Sequence, residues 1–282
     1  MKSAYIVSGL RTAVGKAKKG GFRFVRPDDL AANVIKSLVK KTKGLEGIMV
    51  DDLIVGNAVP EAEQGMQMAR YISLLSLPKE VPGLVINRYC GSGLEAIHLA
   101  CAKINAGSAE CVIAGGTESM SMVPMTGYKS ALNYNISVNN PDYYLNMGLT
   151  AEKLAKKYDI KREDSDLFSF NSHMKATKAI EDNIFKKEIL PYDVEQVYLE
   201  NGKRKTKKWT VSQDEGPRKD TSMEVLSKLR PAFKVGGQVT AGNSSQMSDG
   251  AAFVVVMSED MVKRLDVKPI ARMVSYATAG VE

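Results

Sequence analysis

The run Glu110-Cys111-Val112-Ile113-Ala114-Gly115-Gly116-Thr117 is apolar without the alternation of a strand wetted on one face. It predicts a strand covered on both sides, and therefore a sheet sandwiched between helices. What precedes it fits that demand. Residues 4–9 read as a first short strand, 53–59 as a second and 81–88 as a third. Between them, Pro27-Asp28-Asp29 opens a helix with Leu30, Val34 and Leu38 on one face, and residues 66–77 give another. From Gly93 onward, Leu94, Ile97, His98, Cys101 and Ile104 fall at helical spacing. Strands alternating with helices predict an α/β fold with a parallel sheet and right-handed crossovers.

The pattern then lapses. Between about 120 and 245, helices over 150–158 and 164–184 sit among polar, lysine-rich loops, and strand character returns at 251–257 and at 269–278. The simplest reading is a large insertion between the fourth and fifth strands of one sheet.

Composition narrows the function classes. The apolar fraction of 44% in 282 residues is ordinary for a globular chain. There is no apolar run long enough for a signal peptide or a membrane span, so a cytoplasmic protein without membrane partners is expected. Cys90, Cys101 and Cys111 lack C-x-x-C spacing and neighbouring histidines, which argues against disulfides and against a metal site. The net charge of +7 fits an anionic partner. Its densest cluster, Lys203-Arg204-Lys205 with Lys207 and Lys208, reads as a solvated turn, or as a contact for a phosphate-bearing cofactor. Nucleic acid is the weaker reading, because no aromatic residues are interleaved with the cations.

One segment carries chemistry. Val85-Ile86-Asn87-Arg88-Tyr89-Cys90-Gly91-Ser92-Gly93 puts a cysteine where a strand turns into a helix. Gly91 and Gly93 permit a tight turn and close approach by a ligand. Backbone N–H groups at a helix start favour thiolate, so Cys90 is a nucleophile candidate, with a buried packing role as the alternative. Cys101 and Cys111 read as packing residues. His98 lies about 12 Å along the helix from Cys90 and His173 belongs to the insertion, so no base is evident.

Motifs along the whole chain resemble the thiolase family. Asn87 to Gly93 is similar to N-R-x-C-x-S-G, and Gly115 to Ser121 to G-G-x-E-S-M-S. Met147 to Glu152 is similar to M-G-x-T-A-E. Further matches are Asp214-Glu215-Gly216-Pro217-Arg218, Leu229 to Phe233, Thr240 to Ser245, and Asp249-Gly250-Ala251-Ala252. The resemblance implies a thiolase-like fold. Its N-terminal βαβαβαββ half would be 1–120 plus 246–268, with an inserted CoA-binding loop domain at 121–245. Residues 269–282 would be the first strand of a largely absent C-terminal half. It also implies thiolytic cleavage of a 3-ketoacyl-CoA through an acyl-Cys90 intermediate, with the Cys90 N–H in the oxyanion hole.

CoA or acyl-CoA would be a substrate, with no permanently bound cofactor. Met147, Arg218, Ser222 and Ser245 would contact it, Arg218 and Ser222 toward the nucleotide and Ser245 toward the pantetheine. A homodimer or homotetramer is implied. Asn146, Asn87-Arg88 and Arg162-Glu163-Asp164 resemble the degradative branch of fatty-acid β-oxidation. The sequence lacks the family's N-E-A-F, G-H-P-x-G and C-x-G-G-G motifs, so a truncated and inactive chain is expected. Two alternatives remain: a non-catalytic CoA-binding or scaffold protein, and a ketoacyl synthase, against which the M-G-x-T-A-E and D-E-G-P-R blocks speak.

Overall fold

The computed structural model describes residues 3–281; Met1, Lys2 and Glu282, the extreme ends of the two terminal spans above, lie outside the described residues. The chain forms two compact units. The first comprises 1–128, 186–215 and 248–279, and the second 129–185, 216–247 and 280–282.

The first unit is built on one sheet. Its strands are β1 (Ala4–Arg11), β2 (Gly15–Lys16), β3 (Asp52–Gly56), β4 (Gly83–Ile86), β5 (Cys111–Ser119), β8 (Ser248–Ser258) and β9 (Ala271–Arg272), in the order β4-β3-β5-β8-β1-β9 with β2 against β8. Helices α1 (Pro27–Lys41) and α2 (Met68–Ser76) supply Leu30, Val34, Ile35 and Ile72 to one core, with Leu53, Val55, Ile113 and Val255 from the sheet. Helix α3 (Ser92–Asn105) supplies Ala96, Ala100, Cys101 and Ile104 to a second core, with Ile54, Val112, Ala114 and Val256. Alternate residues of β5 thus enter different cores, which is why its sequence shows no alternation.

The sheet is mixed, which corrects the parallel expectation. Strand β3 runs parallel to β4 and β5, but β8 is antiparallel to both β5 and β1. The helical crossovers enforce parallel pairing only up to β5, since a returning strand that follows an insertion is under no such constraint. Pairing of β5 with β8 closes the insertion at its base: buried Asp249 accepts from the Ser121 N–H at 2.8 Å and the Ser121 hydroxyl at 2.5 Å, joining the S-M-S and D-G-A-A blocks.

Two further differences concern strands. The strand expected over 269–278 is only the two-residue β9 against Tyr5 and Ile6, and among the described residues 273–281 are in no strand. The basic cluster is not a turn. It lies on β7 (Lys203–Val211), hairpinned to β6 (Tyr192–Glu200) through Asn201 and Gly202, both at positive φ. An Asn-Gly pair between extended runs is a hairpin signal, and the cations masked it.

This hairpin belongs with the first unit, although it lies inside the 121–245 stretch. The reason is visible in its contacts. Val194 and Val211 enter the core with α1 and α2, and the Trp209 indole N–H donates to the Gly21 carbonyl at 3.1 Å. The Arg11 guanidinium grips Asp214 through two bonds of 2.7 and 3.0 Å and reaches Glu188 at 2.8 Å. Arg11→Ala should leave the Asp214 and Glu188 carboxylates without their cation. We expect a loss of about 2 kcal/mol, read as a lower urea midpoint with unchanged slope.

The second unit holds α4 (Tyr134–Asn139), α5 (Met147–Lys157), α6 (Arg162–Glu181) and α7 (Met223–Ser227), and motif residues tie α5 and α6 to the segment that follows α7. The Glu152 carboxylate accepts from the N–H groups of Gln238 and Val239 at 2.9 and 2.8 Å. Buried Asp166, held by Arg162 at 2.7 Å, accepts from the Asn243 amide at 2.9 Å. A Cβ on Gly148 would collide with the Phe233 ring. The remaining helix, α8 (Glu259–Leu265), follows β8 in the first unit. Among the described residues, no helix is long and apolar enough to cross a membrane.

Candidate active site

Cys90 is exposed on the turn between β4 and α3, whereas Cys101 and Cys111 are buried. Burial pushes the Cys101 thiol up, and the Cys111 thiol up to about 12, which leaves both inert as nucleophiles. The packing role expected of these two is what the structure shows.

The turn is made differently from the sequence expectation. Gly91 adopts right-handed helical angles as the N-cap of α3. The left-handed residue is Tyr89, at φ 46°, a conformation that strains a side chain with a Cβ. Its N–H donates to Asn87 Oδ1 at 2.8 Å, and its carbonyl accepts from the Ser92 hydroxyl at 2.6 Å and the Ser92 N–H at 3.0 Å. The Ser92 hydroxyl also accepts from the Arg88 N–H at 2.8 Å. Strain beside an exposed cysteine, held by four local bonds, resembles a nucleophile elbow, although here the strained residue is the neighbour of the cysteine and not the cysteine itself.

Glycine matters elsewhere in this arrangement. A Cβ on buried Gly56 would lie 2.5 Å from the Ser92 carbonyl carbon and 2.7 Å from the Gly93 nitrogen, so the start of α3 rests directly on β3. Around Gly93 a Cβ would meet nothing within 4 Å. The N-cap Gly91 offers no side-chain oxygen, so the first-turn N–H groups of α3 stay without a side-chain cap. That end of a helix favours anions.

Both histidines have partners of their own. The His98 ring stacks on Tyr276 with centroids 3.9 Å apart, and Tyr276 bonds to Glu95, itself paired with Arg88 at 2.6 Å. His173, in α6, accepts the Arg218 backbone N–H at 3.2 Å.

The four expected CoA contacts all fall in the second unit. Met147, the first residue of α5, is 63% exposed. The Arg218 guanidinium pairs with Asp220 at 2.7 Å, which raises its pKa and lowers that of the carboxyl. Ser222 is half-buried and accepts from the Val225 N–H at 3.2 Å as the N-cap of α7. Ser245 is exposed. Asn146 caps α5 by accepting from the Leu149 N–H at 2.9 Å.

The family described as "Thiolase, N-terminal domain" matches residues 4–260. The chain belongs to the thiolase family. Among its thiolase relatives is the 3-ketoacyl-CoA thiolase of Bacillus subtilis (strain 168), 50% identical over 283 residues, 100% of this chain and 72% of that protein. A 3-ketoacyl-CoA thiolase of Escherichia fergusonii is 40% identical over 285 residues, covering 99% of this chain and 71% of its own length. The crystal structure of the Bacillus anthracis acetyl-CoA acetyltransferase superposes with a TM-score of 0.86 at 34% identity, over 100% of this chain and 72% of that one. The thiolase α/β fold expected from the motifs is therefore the fold observed.

Glu118 is a residue of this site that the sequence reading did not single out. Its half-buried carboxylate accepts from the Ala58 N–H at 2.7 Å and from Gln64 Nε2 at 2.6 Å. Burial pushes its pKa up against these bonds, which pull it down.

Proposed function

We propose that this thiolase chain carries the acyl-accepting thiol of a CoA-dependent acyltransferase acting on 3-ketoacyl-CoA, with Cys90 as nucleophile. The observation that supports it most is the exposed Cys90 at a strained turn against the N-terminus of α3. The Cys90 thiolate attacks the 3-keto carbon, and the N–H of Cys90 donates to the developing oxyanion. The C2–C3 bond breaks, its electron pair passes to C2, and C2 takes a proton to give acetyl-CoA. The thiol of a second CoA gives up its proton and attacks the acyl-Cys90 thioester. The shortened acyl-CoA departs and the Cys90 thiolate is restored.

Met147, Arg218, Ser222 and Ser245 are proposed to contact CoA, Arg218 and Ser222 toward the nucleotide and Ser245 toward the pantetheine. The same family reading supports a cytoplasmic homodimer or homotetramer working in fatty-acid degradation.

With His98 stacked on Tyr276 and His173 accepting the Arg218 N–H, both imidazoles are already engaged and neither is free to move the protons of either step. The chain by itself should therefore take up an acyl group and turn over slowly, by a factor of about a hundred to ten thousand. The assay is CoA-dependent thiolysis of acetoacetyl-CoA and of a longer 3-ketoacyl-CoA, with Cys90→Ser as control. The expected trace is a slow accumulation of at most one acyl group per chain, without fast sustained turnover. Fast, sustained turnover lost in Cys90→Ser would show that another group supplies the base. CoA binding without any acyl uptake would favour a non-catalytic CoA-binding protein.

A further inference from the structure

The bonds around Cys90 form a chain that starts well away from it. Glu118, near the end of β5, fixes the Ala58 N–H at 2.7 Å. The carbonyl of the same Ala58 accepts from the Asn87 amide at 2.9 Å, and Asn87 Oδ1 accepts from the Tyr89 N–H at 2.8 Å. Tyr89 is the left-handed residue on which the turn pivots, and Cys90 is the next residue. Gln64, fully buried, braces the carboxylate from the other side: its Nε2 donates to Glu118 and to the Val59 carbonyl at 2.8 Å, and its Oε1 accepts from the Ser119 N–H at 2.6 Å.

We propose that Glu118 is a positioning residue for Cys90, holding the Ala58–Asn87–Tyr89 chain that keeps the strained turn closed against α3. This rests on the reading of Cys90 as the nucleophile. A left-handed tyrosine persists only where its surroundings over-determine it. Two of its three bonds come from Ser92, and the third comes through Asn87 from Ala58, the residue whose N–H Glu118 holds. A half-buried carboxylate is a costly anchor, and its pKa, raised by burial, is the sign of that cost. When the chain is released, Tyr89 relaxes toward ordinary angles and Cys90 moves from its place at the N-terminus of α3.

The test is the rate of iodoacetamide labelling at each cysteine, followed by peptide mass, in the 282-residue chain. Buried Cys101 and Cys111 report the integrity of the fold. In Glu118→Ala, Cys90 should label about fivefold more slowly, the factor for losing the one neutral Asn87–Tyr89 bond at the end of the chain, while Cys101 and Cys111 stay protected. Glu118→Gln, which keeps one oxygen to turn toward the Ala58 N–H, should return to within about twofold of the native rate.

Asn87→Ala should reproduce the slowing, and the double variant should be no slower than the slower single, because both break one chain. An unchanged Cys90 rate in Glu118→Ala with the other two cysteines protected overturns the proposal. If Glu118→Ala instead exposes all three, Asn87→Ala decides: about fivefold slowing supports the proposal and an unchanged rate overturns it. Native Cys90 labelling no faster than free glutathione would overturn the nucleophile reading itself, and the role of Glu118 with it.

Discussion

Gly56→Ala should destabilise the chain by about 3 kcal/mol and should also slow Cys90, although residue 56 carries no functional group. The added methyl would sit 2.5 to 2.7 Å from backbone atoms of Ser92 and Gly93, which cannot rotate out of the way as a side chain would. Relief requires α3 to lift from β3. That movement opens the second core at Ile54, Ala96 and Ala100 and carries the Cys90 turn with it. The control is Gly93→Ala, where the new Cβ meets nothing within 4 Å and a helical alanine is favoured by up to about 1 kcal/mol. Urea unfolding of the pair separates them: the first midpoint should fall and the second should hold or rise. Equal midpoints would mean that α3 does not rest on Gly56 as described.

The second large effect is on chemistry. Cys90→Ser changes one atom on an exposed side chain, so the fold and its melting should be preserved. A hydroxyl with no adjacent base is a far weaker nucleophile than a thiolate, and acyl capture from a 3-ketoacyl-CoA should fall by at least about a thousandfold. Cys101→Ser and Cys111→Ser should behave in the opposite way. Each places a hydroxyl in a packed apolar site, so stability falls by about 1–3 kcal/mol. Acyl capture per folded molecule should not change. A Cys90→Ser chain that still captured acyl groups at the native rate would assign the reaction to another residue.

These expectations also show what the sequence could and could not reveal. The apolar strands and the helices between them were readable because burial on two faces leaves a compositional mark that any neighbour will satisfy. The Cys90 turn was readable from its strand-to-helix setting. Its mechanics were not, since the glycines drew attention while the left-handed residue is Tyr89. The β6–β7 hairpin escaped because five cations on its outer strand look like a loop, and only Asn201-Gly202 betrays the turn. Antiparallel pairing of β8 was hidden because nothing in a strand's own residues states the direction of its neighbour. The Glu118 network escaped for a related reason: residues 58, 64, 87 and 118 meet only after the sheet has formed, and no spacing rule connects them.

The central claim is that Cys90, alone among the three thiols, is placed to carry an acyl group. The direct measurement is the mass of the chain, and of its peptides, after incubation with acetyl-CoA at neutral pH. The account predicts one acetyl group, lost on treatment with hydroxylamine and confined to the peptide that contains Cys90. An acetyl group found on Cys101 or Cys111, or a folded chain that takes up none, would contradict it.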